Sequence, residues 1–586
     1  MLKGIIRFAA LASIERMRIL LLLSGTIIAI LITFGSVTAS CSCSQSHCDQ
    51  SFAKLDQSYG ENRDSTDLIS DTTGQLIRSV RSERSEPGEK DRNQDEDGPS
   101  RPGSSEGINF KTRHMKAFKQ ALEKDGFTVQ EGKLGYLDFI KAFNEGLIPN
   151  VGGNNPSSKY LSFLLPPAPG HEVGSVMANY SKALGLSGSL TNRFNLRPDE
   201  AIVFVGRTPP KCKYFSFDNY IFTGTYEDKI RWLSAPIGDT LNNLVIKTEG
   251  TPNGRHGNPF NQNTVVIATA DRGIDRRIRT AAQSAGYPES IINTMVFPSS
   301  MLHMGVEDNS DIFYTVVRPA LYKDKQAGEK YLNNPPAVIF RITPNESTTP
   351  DPYKVPELRV RGAGTTELDL MDDLEELRKA ILNEYSGLKA TELPTSIWGP
   401  PANNAFQKGI AVFGPDNDAC YLWTEPHTLS TQIPWMDVWP SPSDFIDKYY
   451  PFMRDSQVTL GDNTKEFLIV YGVNHAATGK ATYSNFVVNG VNGWNGVAAA
   501  TNLDFSGTAQ EYLPNNPNAK YLYVYKVART CTGDSNCLVV PTEPYGYGIA
   551  LDQPLFIAWR LYLEKATKTG PSYNEIVYDK AIKFDP

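Results

Sequence analysis

Residues 199–217, DEAIVFVGRTPPKCKYFSF, constrain the fold of this 586-residue chain more than any other stretch. Ala201, Ile202, Val203, Phe204 and Val205 make an apolar, largely β-branched run that Gly206 stops. Pro209 and Pro210 have no amide hydrogen to give a ladder, so they set a turn or a sheet edge. Tyr214, Phe215, Ser216 and Phe217 then read as a return strand. The design is repeated at 465–472, KEFLIVYG, where Glu466 stands for Glu200 and Gly472 for Gly206. A second echo pairs PPAVIFR, ending at Arg341, with PLFIAWR, ending at Arg560. Together the echoes are compatible with an internal duplication. Residues 467–471 are apolar at every position, which predicts burial on both faces and a central place in a sheet.

The rest of the chain alternates strand and helix signals. Helical spacing marks 111–124, 136–146 and 367–385, the last with Leu370, Leu374, Leu377, Ile381 and Tyr385 on one face. Strand patterns fall at 159–165, 213–222, 243–247, 264–270, 292–297, 312–322 and 336–343. Between 264–270 and 292–297 lies a helix with Asp271 as its N-cap and Gly286 at its end, so the two strands are expected to pair in parallel. The glycine-rich first turn of a dinucleotide site is missing there, and no cofactor is read from it. The expected class is α+β, with two β-rich sandwich-like lobes and packed helices. A first lobe spans 108–343, a connector with the long helix 344–409, and a second β-rich lobe 410–586.

The N-terminus speaks to compartment. Lys3, Arg7, Arg16 and Arg18 precede residues 19–40, twenty-two residues without a charge. That length crosses a bilayer, and the basic flank at 1–18 keeps the N-terminus cytoplasmic, with the remainder exported. An uncleaved anchor, a cleaved signal and a lipoprotein lipidated at Cys41 are the three readings of the segment. Residues 41–107 are polar and, over 81–107, rich in Ser, Glu, Asp, Arg, Pro and Gly, which predicts a disordered tether. Cysteine usage agrees with export. Cys531 and Cys537 enclose a turn-forming stretch and are expected to form a disulfide, while the pairing of Cys43, Cys48, Cys212 and Cys420 stays open.

Residues 198–217 carry an acidic pair (Asp199, Glu200), the apolar strand, Gly-x-x-Pro, Cys212 and Tyr-Phe-Ser-Phe. In these features the stretch resembles a motif of β-rich exported bacterial domains of unknown function. The resemblance covers about twenty residues and implies a β-sandwich lobe and no activity. Phe215 stands where that motif has tryptophan, and the closing strand signature is blurred.

Function is read from what is present and what is missing. A net charge of −7 without a basic block argues against nucleic-acid binding. No G-x-S-x-G elbow, H-E-x-x-H, phosphate loop or C-x-x-C occurs, and no cluster has zinc-ligand spacing. Asp416-Asn417-Asp418 offers calcium oxygens but lacks the rest of a binding loop, so a turn is expected. The most polar motif at a strand end is VNHAATGKATY, 473–483, with Asn474, His475, Lys480 and Tyr483. His475 and Lys480, with Arg207 from the first half, are expected to line a positively biased hollow for a small anion. Trp398, Trp423, Trp435 and Trp439 offer an alternative sugar-stacking surface. The leading expectation is an exported, membrane-tethered binding or surface-structural module. An extracytoplasmic hydrolase or lyase with a site between the lobes and a lectin-like sugar binder are the rivals.

Overall fold

In the computed structural model the described residues are 105–145, 151–173, 181, 189–226, 229–397, 416–424, 458–544 and 546–586. They all fall within one compact unit, 101–586. The anchor 19–40, nearly all of the tether, Cys41, Cys43, Cys48, Trp398, Trp435 and Trp439 lie outside the described residues. Among the described residues no helix is long and apolar enough to cross a membrane.

The fold is β-rich with few helices. Its first part holds β1 (Phe127–Tyr136), β2 (Leu161–Leu164), β3 (Ala201–Arg207), β4 (Cys212–Tyr214), β5 (Ser216–Tyr226) and β6 (Lys229–Pro236). These are followed by β7 (Leu241–Asn242), β8 (Asn263–Thr269), β9 (Ile292–Val296), β10 (Ile312–Val317), β11 (Ala320–Tyr322) and β12 (Ala337–Pro344). The helices are α1 (Ser105–Lys124), α2 (Phe139–Asn144), α3 (Arg272–Ser284) and α4 (Lys325–Asn333). Ten of the strands make one sheet in the order β6-β5-β10-β2-β1-β12-β3-β8-β9, with β7 paired to β5.

That sheet curls. Strands β5 and β3 are five places apart in it, which in a flat sheet would separate them by ~24 Å. Yet Phe217 on β5 and Phe204 on β3 meet edge to face with ring centroids 4.9 Å apart. The sheet is bent into a half-barrel whose inner face holds Leu161, Phe163, Phe204, Phe217 and Phe313. On the outer face, Val203, Val205, Val265 and Ile267 are covered by Phe118 and Leu122 of α1 and Ile274 and Ile278 of α3. As expected, β8 and β9 pair in parallel around α3, and the Asp271 carboxylate accepts the Ile274 amide at 2.9 Å.

The second part holds α5 (Met371–Glu384), β13 (Lys389–Leu393), β14 (Thr395–Ile397), β15 (Ala419–Thr424), β16 (Phe467–Val473) and β17 (Tyr483–Gly490). It is completed by β18 (Asn495–Thr501), β19 (Leu522–Ala528), β20 (Cys537–Val539), β21 (Leu555–Tyr562) and β22 (Lys580–Asp585). Two five-stranded sheets, β13-β22-β16-β19-β20 and β14-β15-β21-β17-β18, share a core built from Leu468, Val470, Phe486, Val488, Ile557 and Trp559. Strand β16 is central and buried along its whole length, as its unbroken apolar run predicts. Leu374, Leu377 and Ile381 of α5 close the other face of that sheet. Strands β13 and β14 belong to this sandwich, although they lie in the stretch read as a connector.

The echo between the halves does not extend to strand pairing. Strand β12, which carries Arg341, is hydrogen-bonded to β3. Its counterpart β21, which carries Arg560, lies in the sheet opposite β16. The repeated letters reflect what any buried strand bounded by glycine needs. Gly206 and Gly472 each have local reasons: an added Cβ would sit 2.5 Å from the Ala337 Cβ in one case and 2.1 Å from the Asp579 carboxylate in the other.

Glu200 is fully buried and forms an ion pair with Arg341 at 2.8 Å, supplemented by Thr343 at 2.5 Å. Burial pushes the Glu200 carboxyl up, but the Arg341 guanidinium and these hydrogen bonds outweigh it and hold it below its ordinary value. Arg341→Met strands that carboxylate and should destabilise the protein by about 3–5 kcal/mol in denaturant unfolding. Glu200→Gln combined with Arg341→Met should recover part of the loss. An Arg341→Met protein as stable as wild type would contradict the pairing.

Candidate functional site

The 473–483 motif begins where β16 ends, and the chain turns there on hydrogen bonds of its own. The Asn474 carbonyl accepts the amides of Ala477 and Thr478, and the Ala481 amide returns to the His475 carbonyl at 2.8 Å. This turn drives His475 and Lys480 inward, so that both are buried. Its closure brings two other segments against them, 361–367 before α5 and 564–579 before β22.

His475 lies between two carboxylates. Its Nδ1 is 2.8 Å from Glu367 Oε2 and its Nε2 is 3.0 Å from Asp579 Oδ2. Around this trio, the Thr478 hydroxyl donates to Glu367 at 2.5 Å and the Val577 amide to Glu367 at 3.2 Å. The Tyr523 hydroxyl donates to Asp579 at 2.9 Å and itself accepts the Trp559 indole N–H at 3.0 Å. Burial pulls the His475 pKa down, but the charges of Glu367 and Asp579 and their hydrogen bonds raise it to about 10. Burial likewise pushes Glu367 up, and the imidazolium and hydrogen bonds return it below its ordinary value. His475 is therefore a doubly protonated cation at neutral pH. It has no free nitrogen with which to take a proton from a substrate.

Lys480 repeats the arrangement. Its Nζ donates to Glu564 at 2.8 Å and to Glu575 at 2.6 Å, and Glu575 also accepts the Gly364 amide at 2.8 Å. Hydrogen bonding from Lys480 is the main cause that holds Glu575 below the ordinary glutamate range. The two cages are joined through the backbone, since the Glu367 amide donates to the Glu575 carbonyl.

The expected positive hollow is thus corrected. Two cations face four carboxyl groups, and Lys480 meets Glu564 and Glu575 instead of Arg207. Arg207 is at the end of β3, where its Nη1 is 3.3 Å from the Asn261 side chain and its carbonyl accepts the Tyr331 hydroxyl. Asn474 is buried beside the cages, and its Oδ1 finds no hydrogen-bond partner among the described residues. Tyr483 is a core residue that stacks on Tyr562 with centroids 5.2 Å apart and accepts the Asn155 side-chain amide at 3.2 Å.

A second buried polar cluster joins the half-barrel to the sandwich, and it uses the Asp-Asn-Asp segment. Asp418 accepts from Tyr214 at 2.9 Å, Thr240 at 2.5 Å and Asn242 at 2.8 Å. Arg318 reaches Asp218 at 3.3 Å and also contacts Asp416. Burial, against the pull of Arg318, pushes Asp218 up to about 7. The expectation of a turn at 416–418 holds, and its carboxylates act as acceptors for the other half. Nothing near them in sequence announces Tyr214, Thr240 or Arg318 as partners.

Cys531 and Cys537 form the expected disulfide at the edge of the sandwich. Cys212 and Cys420 are buried thiols, 212 in the half-barrel core and 420 in the sandwich core. Trp423 is buried, with its indole N–H donated to Ser396, so it offers no sugar-stacking face.

No family model matches the chain, and no curated protein matches it. Among solved structures, it is similar to an uncharacterized protein from Burkholderia cenocepacia, at 12% identity over 82% of this chain and 88% of that one, with a TM-score of 0.32. It is also similar to a Vibrio parahaemolyticus protein, at 10% identity over 82% of this chain and 100% of that one, with a TM-score of 0.29. These likenesses are weak, as is the local resemblance of residues 198–217 to exported bacterial domains of unknown function. They carry nothing about activity.

The His475 cage makes a definite pH signature. A pKa raised from 6.5 to about 10 stabilises fully below 6.5, and that stability is lost as the pH climbs toward 10. Between pH 7 and 9 wild-type unfolding free energy should fall by up to about 1.4 kcal/mol per pH unit relative to the Glu367→Gln/His475→Gln/Asp579→Asn triple variant, which leaves no titrating group in the cage. His475→Gln alone should be less stable at pH 7, because it leaves two buried acids without their cation. Parallel pH profiles for wild type and the triple variant would contradict the charged cage.

Proposed function

We propose that the chain is an exported, membrane-tethered module whose two β-rich parts, half-barrel and sandwich, form a rigid surface body that binds or displays and does no chemistry at the 473–483 motif. The N-terminal anchor at 19–40 holds it to the membrane and the 41–107 tether sets it at a distance. The bulk of the chain is then extracytoplasmic, with a small ligand and no nucleic acid as its partner. The observation that carries this reading is the Cys531–Cys537 disulfide, since such a bond persists in oxidising compartments. Its agreement with a charge-free N-terminal run behind a basic flank supports export.

The rival of a hydrolase or lyase using this motif needs a base or a nucleophile partner. His475, held as an imidazolium between Glu367 and Asp579, is a poor base, and Lys480 is held as a cation by Glu564 and Glu575. Both cages serve better as rivets. Each clamps three distant segments together in a place where an unpaired charge would be costly.

The test is fractionation of cells expressing the full chain, followed by thiol labelling and peptide mass spectrometry without reduction. The expected result is recovery with membranes, release of a folded fragment starting near residue 108 by protease added from outside, and a Cys531–Cys537 link with Cys212 and Cys420 free. Recovery in the cytosol with Cys531 and Cys537 both reduced would overturn the reading.

A further inference from the structure

The half-barrel and the sandwich leave a pocket of about 210 Å³ between them, away from both charge cages. The end of β1 and the start of α2 form one wall, and Gly496 and Val497 of β18 form part of the other. Tyr547, from the loop after β20, is also in the lining, and the neighbouring Gly546 carbonyl accepts the Asn495 side-chain amide at 2.6 Å. The loop is therefore fixed to the sheet.

The lining has a definite chemistry. Phe139 and Tyr160 pack edge to face inside it with centroids 5.9 Å apart, and the Tyr160 hydroxyl accepts the Asn155 amide. Tyr136 and Tyr547 are large aromatic residues that remain 38% exposed. They converge with Asp138. Burial first, then the Asp138 carboxylate, pushes the Tyr136 phenol up to about 12. Burial and Asp138 raise Tyr547 in the same way. Lys159 is also in the lining, so one cation and one carboxylate balance.

We propose that this seam pocket binds one ring of a neutral sugar. Aromatic faces suit the C–H faces of a pyranose, and a carboxylate, an ammonium group and two phenols suit its hydroxyls. A charged ligand would meet one group of its own sign. The volume is below the ~300–1,000 Å³ of drug-sized clefts, which limits the occupant to a single ring. The site is assigned by the juxtaposition of Tyr136, Asp138 and Tyr547 across the seam. The inference rests on the binding-module reading above and supplies its ligand class.

The experiment is saturation-transfer NMR on the detergent-solubilised full chain. The probes are the methyl glycosides of glucose, galactose and mannose, N-acetylglucosamine, and choline as a cationic control. At least one sugar should receive saturation at its ring protons, and its affinity should fall about tenfold in Tyr547→Ala. Asp138→Asn, which keeps the side-chain oxygen that caps α2, should also weaken it. No transfer to any of the four sugars, unchanged affinity in both variants, or binding of choline alone would overturn the proposal. None of these outcomes bears on where the chain resides, so export stands or falls separately.

Discussion

Two carboxylates hold one imidazole at the end of the central strand of the sandwich, and much of the second half is arranged by that contact. Glu367 reaches His475 from the segment before α5, and Asp579 reaches it from the segment before β22. Because all three side chains are buried, neither acid can be ionised there without the cation, and the cation cannot remain without them. The three segments therefore close together. Gly472 is part of the same constraint, because a side chain there would occupy the place of the Asp579 carboxylate.

The same logic recurs elsewhere with different residues. Glu200 and Arg341 pin β3 to β12 inside the half-barrel, and Asp418 gathers Tyr214, Thr240 and Asn242 across the seam. Hydrophobic burial sets the sheets and their curl but has little directional content. Buried ion pairs do have direction, and in this molecule they stand where distant segments must meet in one register. The seam pocket, with Tyr136, Asp138 and Tyr547 in its lining, lies along the same junction, where the Gly496 amide donates to the Asn154 side chain.

Much of this was legible in the sequence wherever the determinant was local. The unbroken apolar run of 467–471 announces a central strand, Asp271 announces the start of α3, and the turn between Cys531 and Cys537 announces the disulfide. Strand β1 was hidden by its own packing. Its Gly132 and Gly135 look like breakers, yet each is small because β2 passes close by: an added Cβ would lie 2.1 Å from the Leu164 carbonyl oxygen or 2.6 Å from the Leu164 side chain. The site was half legible. His475 and Lys480 stand out as polar residues at a strand end, but their carboxylate partners are 84 to 108 residues away in sequence, with no spacing to reveal them. Without those acids in view, two cations look like an anion site. With them, they become fasteners.

The charge state of His475 is the centre of this account, and it can be observed directly. Nitrogen-15 NMR of the full chain labelled at histidine gives signals from seven histidines, and His475→Gln identifies the one that matters. At pH 8 both ring nitrogens of His475 should carry protons and show imidazolium shifts while exposed histidines are neutral. A His475 ring with one bare nitrogen at that pH, or one that loses its proton near 6.5, would contradict the buried, doubly paired cation on which the second half is built.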